Sequence, residues 1–182
     1  MLEIYITDLA AYNKGFLIGE WITLPLDQQE LSTAVDKVLR GAEAICALEY
    51  GYDKHEEYFI TDSEWSNHHF QEIHEYEDIY NLNQQLQLIE GKSDYELKAI
   101  SFLINEGFAI DIDSALDKVD DVTIYENQNM EDVAYDLMQD LYQADLLPSI
   151  LANNIDYEGI ARDLEYDGTY FEDGLDVYQY IG

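Results

Sequence analysis

The sequence predicts an α+β fold arranged in three small blocks: mixed α/β, helical, and mixed α/β again. Three observations lead to this prediction. Alternating apolar and polar residues occur towards both ends of the 182-residue chain, apolar residues at helical spacing fill its middle, and Gly-containing turns separate the segments. Boundaries are expected near residues 62 and 107, giving domains at 1–62, 63–107 and 108–182.

The first block begins with two predicted strands and a helix. Glu3–Thr7 alternates apolar and polar residues, and Phe16–Thr23 follows a turn and stops before Pro25. A helix is expected over Gln28–Leu39, because its apolar residues recur on one face and Gly41 is a helix stop signal.

Two further strands are expected to complete the first block, at Ile45–Tyr50 and Tyr58–Thr61. Cys46, the single cysteine, would lie in the first of them and is interpreted as a buried structural thiol. The middle block is predicted to contain two helices, Ile73–Ile89 and Tyr95–Ile104.

The last block is predicted to mix helices and strands. Asn129 and Asp156 are expected to cap two of its helices, and Asp173-Gly174 is expected to turn a closing hairpin. Helices are predicted at Ile112–Val119, Met130–Tyr142 and Tyr157–Leu164, and strands at Val122–Tyr125, Thr169–Phe171 and Leu175–Ile181.

The charge of the chain excludes several classes of protein. It has 40 Asp and Glu residues against 8 Lys and Arg, a formal net charge of −32. Direct binding to nucleic acid is not expected, because phosphate affinity requires clustered Lys and Arg. An anionic membrane surface is disfavoured for the same reason, and no apolar run is long enough to span a membrane.

Composition also predicts a folded chain inside the cell. Leu, Ile, Val and Phe account for 51 of the 182 residues, which is too many for a disordered protein. With one cysteine, no intramolecular disulfide is possible, and the first residues lack a basic leader, so a cytoplasmic location is expected.

The acidic residues are densest in the last third of the chain, where Arg162 is the only base after residue 118. They alternate with apolar residues, as expected for elements with one buried and one charged face. Arg162 is expected to make a local ion pair or helix contact. The candidate acidic surface consists of Asp120, Asp121, Glu126, Glu131, Asp132, Asp136, Asp140, Asp145, Asp156, Glu158, Asp163, Glu165 and Asp167.

A second candidate feature is an apolar segment within this acidic region. It has two interpretations, a part of the core or a contact between subunits. Its residues are Leu141, Leu146, Leu147, Pro148, Ile150 and Leu151.

Catalytic and metal-binding signals are weak. His68 and Glu72 are four residues apart and could form a metal pair on a helix, but no Cys or HExxH spacing accompanies them. A pair of catalytic carboxylates can be found by chance among 40 acids. No catalytic residue, metal or cofactor is therefore predicted, and the chain is not expected to be an enzyme.

A folded polyanion can imitate DNA. Duplex DNA carries one negative charge per roughly 1.7 Å of axis, so 32 charges match roughly 54 Å of duplex, about 16 base pairs. Carboxylates at this spacing can bind the Lys and Arg residues with which a DNA-binding groove attracts phosphates. Electrostatic steering would make this association fast.

Several segments carry a family resemblance. They are Ile4–Pro25 (IYITDLAAYNKGFLIGEWITLP), Glu57–Asp62 (EYFITD), Ala115–Asp140, Leu146–Phe171 and the closing LDVYQYI. In this order they resemble the antirestriction protein ArdA family, and the third and fourth resemble its antirestriction motif and its IDYxAxxRDL segment. The resemblance covers both ends of the chain well and residues 63–107 poorly.

The resemblance implies an elongated, three-domain DNA mimic encoded on a mobile genetic element and dimeric through its C-terminal domain. It would occupy the DNA-binding groove of a type I restriction–modification enzyme. Its contacts would be with the methyltransferase core of that enzyme, including the specificity subunit. The motif would lie at about Met138–Asn153, which makes the apolar segment the candidate homodimer contact.

Two other classes of function remain open. One is an acidic inhibitor of another DNA-binding protein, such as a Cas nuclease or a nucleoid protein. The other is a metal- or carboxylate-dependent enzyme, for which His68 and Glu72 would be the first residues to test.

Overall fold

The structure is a computed structural model that describes residues 1–66, 70 and 73–182. It mixes helices with two small antiparallel sheets, which confirms the predicted α+β class. The described residues group into two compact units, Met1–Lys92 with Asp111–Asp113, and Ser93–Ile110 with Ser114–Gly182. The division into three blocks stays a prediction.

The first unit is built on a three-stranded sheet. Strand β1 (Leu2–Asp8) is central, with β2 (Gly19–Leu24) and β3 (Tyr58–Trp65) antiparallel on either side. The short helix α1 (Leu9–Asn13) connects β1 to β2. Leu2, Ile4 and Ile6 of β1 are fully buried, so the alternating pattern correctly identified the central strand. Strand β3 continues three residues into the block predicted to be helical.

The main correction in this unit concerns helix α2 (Gln28–Tyr50), which runs straight through Gly41 and replaces the strand predicted at Ile45–Tyr50. Gly41 is exposed with open space around it, so it costs only about 1 kcal/mol of helix propensity. The buried face continues beyond it through Ala42 and Cys46, which pack against Ala11. Cys46 is buried as expected, although in a helix.

The middle of the chain contains the two predicted helices, and the first of them is shorter than expected. Helix α3 (Ile79–Leu88) begins six residues later than expected, because the Asp78 carboxylate accepts hydrogen bonds from the backbone N–H groups of Tyr80 and Asn81. Helix α4 (Asp94–Asn105) begins at a capping box formed by Ser93 and Glu96.

The second unit contains α4 and most of the C-terminal elements. They are helices α5 (Ile112–Leu116), α6 (Met130–Tyr142), α7 (Ser149–Ala152) and α8 (Tyr157–Asp167), and strands β4 (Val122–Tyr125), β5 (Tyr170–Asp173) and β6 (Asp176–Tyr180). Ile112 and Asp113, at the start of α5, group with the first unit. The sheet order is β4-β6-β5, all antiparallel. The bounds of β4 and α6 are as predicted, and Asn129 and Asp156 cap α6 and α8.

The core of this unit forms where α6 and α8 meet the sheet. Met130, Val133 and Ala134 of α6 are buried against Ala161 of α8. A separate aromatic group joins α4 to the sheet, with the Phe102 ring stacked on Tyr178 at a centroid distance of 4.6 Å. Apolar burial on one side of α6 and α8 leaves their other side to the acidic residues.

A buried polar network secures the first unit. The Asp8 carboxylate, fully buried, accepts hydrogen bonds from the Ala11 backbone N–H at 2.6 Å and from Nδ1 of the buried His55 at 3.0 Å. The His55 backbone N–H donates to the Glu43 carboxylate at 2.8 Å, which together with Arg40 holds the pKa of Glu43 below its usual range.

We expect Asp8→Ala to lower the free energy of unfolding by about 3 kcal/mol, because it removes a helix cap and leaves the buried His55 Nδ1–H without a partner. The control is Asp78→Ala, which removes an exposed cap and should cost about 1 kcal/mol. Urea unfolding of both variants measures the difference. Equal losses would show that the Asp8–His55 contact contributes nothing.

Candidate acidic interaction surface

The predicted acidic residues of the last third are displayed on α6, α8 and the turns beside them. Asp120 and Asp121 precede β4 in a 3-10 turn, Glu126 follows β4, and Asp145 lies in the turn after α6. Twelve of the thirteen are exposed, and Asp136 is half-buried. Their distribution follows from the helices, whose apolar residues face the core.

A few of these carboxylates also have local structural contacts. Asp132 completes the capping box of α6 with Asn129, and Asp156 caps α8 by accepting from the Gly159 N–H. Glu126 pairs with Lys98 at 3.0 Å, and Asp136 accepts from Gln128 at 2.7 Å. These four contribute to folding irrespective of any partner.

Acidic residues also lie at helix ends where they oppose the helix dipole. Asp140 is in the last turn of α6, and Glu165 and Asp167 are in the last turn of α8; neither turn contains a basic residue. The C-terminal end of a helix carries partial negative charge, so cations stabilise it and carboxylates do not. The helix dipole therefore gives no reason for acids at these three positions.

The helices and turns generate negative potential at the tyrosines among them. Burial raises the pKa of Tyr125 to about 12, and Asp136 and Asp140 add to the effect. The nearby Asp145 carboxylate is the first cause of the raised pKa of Tyr135. A carboxylate is thus the first cause for Tyr135 alone, and the shift of Tyr125 is mainly an effect of burial.

Most basic residues of the described chain are neutralised by carboxylates. Lys98 lies between Asp176 and Glu126, and hydrogen bonds to Asp176 and then Glu126 raise its pKa above the usual range. The other ion pairs are Lys14–Asp53, Lys37–Glu20, Arg40–Glu43 and Lys54–Glu56. Paired cations offer little positive potential to an approaching anion.

Arg162 was expected to make a local ion pair or a helix contact; the ion pair is not found, and the helix contact stays a prediction. Arg162 is exposed, and no ion pair of its guanidinium is found within the described part of the chain. It lines a cleft of about 330 Å³ together with Glu131, Glu158 and Glu165. The charge around this cleft is therefore still dominated by acids.

The negative surface also covers part of the first unit, where no candidate residue was predicted. Acids such as Asp27, Asp36, Glu49 and Glu57 are exposed there as well, so the negative surface is not confined to the last third. The described acids that are buried or half-buried are Asp8, Glu43, Glu77, Glu96, Asp111, Asp136 and Asp176. The nearly even distribution of acids between the two halves of the sequence already indicated that both units carry negative charge.

The apolar segment predicted as core or interface lies on the surface. We call it the apolar patch: Leu141, Leu146, Leu147, Pro148, Ile150 and Leu151. The exposed fractions of Leu141, Leu146, Ile150 and Leu151 range from 55% to 78%. Pro148 is also exposed, and Leu147 is half-buried. The interpretation as core of the monomer is wrong, because five of the six side chains are exposed; the segment after α6 begins at Gln143, which has a left-handed backbone.

No cluster of three or more His, Cys, Asp or Glu residues suited to a metal ion is found in residues 1–66, 70 and 73–182. His68 and Glu72, the pair considered from the sequence, lie outside the described residues. The helices that the structure describes include none both long and apolar enough to cross a membrane.

Comparison with known families identifies the chain. The family model described as "Antirestriction protein (ArdA)" matches residues 4–177. The match runs through the middle block, where resemblance judged from the sequence alone was poor. A search of curated proteins gave no match. Because the family model covers nearly the whole sequence, the chain belongs to the ArdA antirestriction protein family.

Proposed function

We propose that this protein is a DNA mimic that occupies the DNA-binding groove of a type I restriction–modification enzyme in the cytoplasm and blocks its binding to DNA. Membership of the family implies an antirestriction function, and the mechanism and target are the parts proposed. The groove would be the DNA-binding groove of the methyltransferase core, which includes the specificity subunit. The charges that replace phosphates would be the exposed carboxylates.

The observation that carries the proposal is the placement of acids where they do not help the fold. Asp140, Glu165 and Asp167 are exposed in the last turns of α6 and α8, without basic neighbours in those turns. A protein under selection for stability alone would favour Lys or Arg there. A surface that must imitate a phosphate backbone requires the opposite charge.

The proposed assembly is a homodimer joined through the apolar patch. An exposed group of large aliphatic side chains is typical of an interface in soluble proteins. A symmetric dimer pairs the same patch on both subunits. Such a dimer would carry twice the negative charge of one chain and would match about twice the length of DNA duplex.

A second candidate function is inhibition of a different DNA-binding protein, because the same surface charge would attract any basic groove. The two are distinguished by a binding panel. The full-length protein is passed over an immobilised type I methyltransferase, a Cas nuclease and a nucleoid protein at matched salt. Preference for the methyltransferase supports the proposal, and preference for another member overturns the proposed target.

The proposed binding energy is distributed over many carboxylates, each worth about 0–1 kcal/mol. We therefore expect Asp140→Asn, which changes one exposed acid of α6, to alter the concentration for half-maximal inhibition at most about fivefold. The measurement is inhibition of DNA cleavage by a type I enzyme. Complete loss of inhibition in a folded Asp140→Asn variant would contradict a distributed surface.

A further inference from the structure

The first unit contains a cleft of about 490 Å³ that no part of the proposed mimicry requires. It lies along β3, one of the two edge strands of the β2-β1-β3 sheet. Its lining includes Tyr12, Phe59, Thr61, Asp62, Ile73 and Glu75. The cleft therefore combines aromatic rings, two carboxylates and a strand edge.

Two aromatic rings line the cleft, Tyr12 and Phe59, and a third ring, Tyr76, stacks on Phe59 beside it. The Tyr12 ring meets Phe59 edge-on at a centroid distance of 5.1 Å, and Tyr76 lies nearly parallel to Phe59 at 6.4 Å. Phe59 is buried, whereas Tyr12 and Tyr76 are 48% and 71% exposed. Buried Phe59 thus holds the exposed Tyr12 ring within the cleft and the exposed Tyr76 ring next to it.

The carboxylates of the cleft are held beside these rings. The Glu75 carbonyl oxygen accepts a hydrogen bond from the Ile60 N–H at 2.8 Å, which fixes its backbone against β3. The negative charge of Glu75 is the first cause of the raised pKa of Tyr76, which places that carboxylate near the phenol. Asp62 lies on β3 itself and also lines the cleft.

These two carboxylates lack the compensation that others in the unit have. Glu20, Glu43, Asp53 and Glu56 each pair with a Lys or Arg of this chain. No such ion pair of Asp62 or Glu75 is found within the residues described. A cation supplied from outside would therefore meet unneutralised charge together with aromatic rings.

We propose that this cleft binds an arginine side chain presented by a protein partner. A guanidinium is planar, stacks on aromatic rings and donates several hydrogen bonds to carboxylates, so it matches all the groups in the cleft. An anion would be repelled, and a neutral side chain would leave the negative charge of the two carboxylates uncompensated, although Asp62 accepts a hydrogen bond from the Ser63 N–H at 2.9 Å. Phosphate mimicry needs only surface charge, so this residue-sized site is an addition to the proposed function and does not rest on it.

The test is a titration of the full-length protein with L-argininamide, followed by amide chemical shifts in NMR. The control ligand is L-citrullinamide, which keeps the shape and the α-ammonium group but replaces the guanidinium with a neutral urea. We expect saturable shifts at Thr61 and Ser63, which line the cleft, with a dissociation constant on the order of 1 mM. The control ligand is expected to bind at least about tenfold more weakly.

Variants separate the cleft from general electrostatic attraction. Glu75→Gln and Tyr12→Leu are each expected to weaken argininamide binding about fivefold. Glu49→Gln makes the same charge change at an exposed position of α2 outside the cleft and should leave binding within twofold. If Tyr12→Leu fails to fold, Tyr76→Leu tests the more exposed ring that stacks on Phe59 beside the cleft.

The proposal is overturned if shifts at β3 do not saturate, if both ligands bind equally, or if Glu49→Gln weakens binding as much as Glu75→Gln. None of these outcomes affects the proposed inhibition of a restriction enzyme, which is assayed separately with that enzyme and DNA. Failure of one proposal is thus distinguishable from failure of the other.

Discussion

Replacing Leu146 and Ile150 together with Asp is expected to convert the protein from a dimer into a monomer. Both side chains are about three-quarters exposed in the single chain, so the change should not disturb the fold. In the proposed dimer, each subunit would bury two unpaired carboxylates, facing the same residues of its partner across the symmetry axis. Dimer affinity should fall at least about 100-fold, since burying an unpaired charge costs several kcal/mol.

Analytical ultracentrifugation at micromolar concentration measures this directly. The matched control is a double change of Ile110 and Leu175 to Asp, which has the same chemistry at exposed apolar residues outside the patch. The control should remain a dimer. A dimer that survives in the patch variant, or an unmodified protein that is monomeric, would contradict the proposed interface.

The second large effect is expected from removing several carboxylates together. A variant with Asp140→Asn, Asp163→Asn, Glu165→Gln and Asp167→Asn changes only exposed residues of α6 and α8. At about 0.5 kcal/mol each, the four changes should weaken inhibition about 30-fold in concentration. A single change should remain nearly silent.

The same variant should be at least as stable as the natural sequence. Asp140, Glu165 and Asp167 oppose the helix dipole, so their neutralisation is expected to raise the free energy of unfolding by up to about 1 kcal/mol. Urea unfolding and inhibition are measured on the same preparation. Inhibition that is unchanged, or that falls only because the variant unfolds, would contradict a functional role for these acids.

The sequence predicted the C-terminal elements best. Helix α6 and strand β4 have the expected bounds, because Asn129 supplies a clear cap and the apolar period is strong. The predicted end of helix α2 is wrong, because the buried face that continues to Cys46 outweighs the local stop signal at Gly41. Whether a glycine ends a helix depends on tertiary packing, which local pattern does not contain.

The candidate site was predictable to a similar extent. Outward acids on α6 and α8 follow from alternation with apolar residues, and twelve of the thirteen selected are exposed. The aromatic cleft was not predictable, because Tyr12, Phe59 and Glu75 come from segments far apart in sequence. The exposure of Leu146 and Ile150 also required the structure, since an apolar segment alone fits a core or an interface.

The central claim, occupation of a DNA-binding groove, is tested most directly by competition. The protein is titrated into a complex of a purified type I methyltransferase with labelled DNA, at about 50 mM and about 200 mM salt. The affinity of the DNA itself is measured at each salt, so that the inhibition constant can be corrected for it.

The account predicts displacement of DNA at stoichiometric protein in low salt, with an inhibition constant at least about tenfold weaker in high salt. Displacement that does not depend on salt, or no displacement at a large excess of protein, would contradict it.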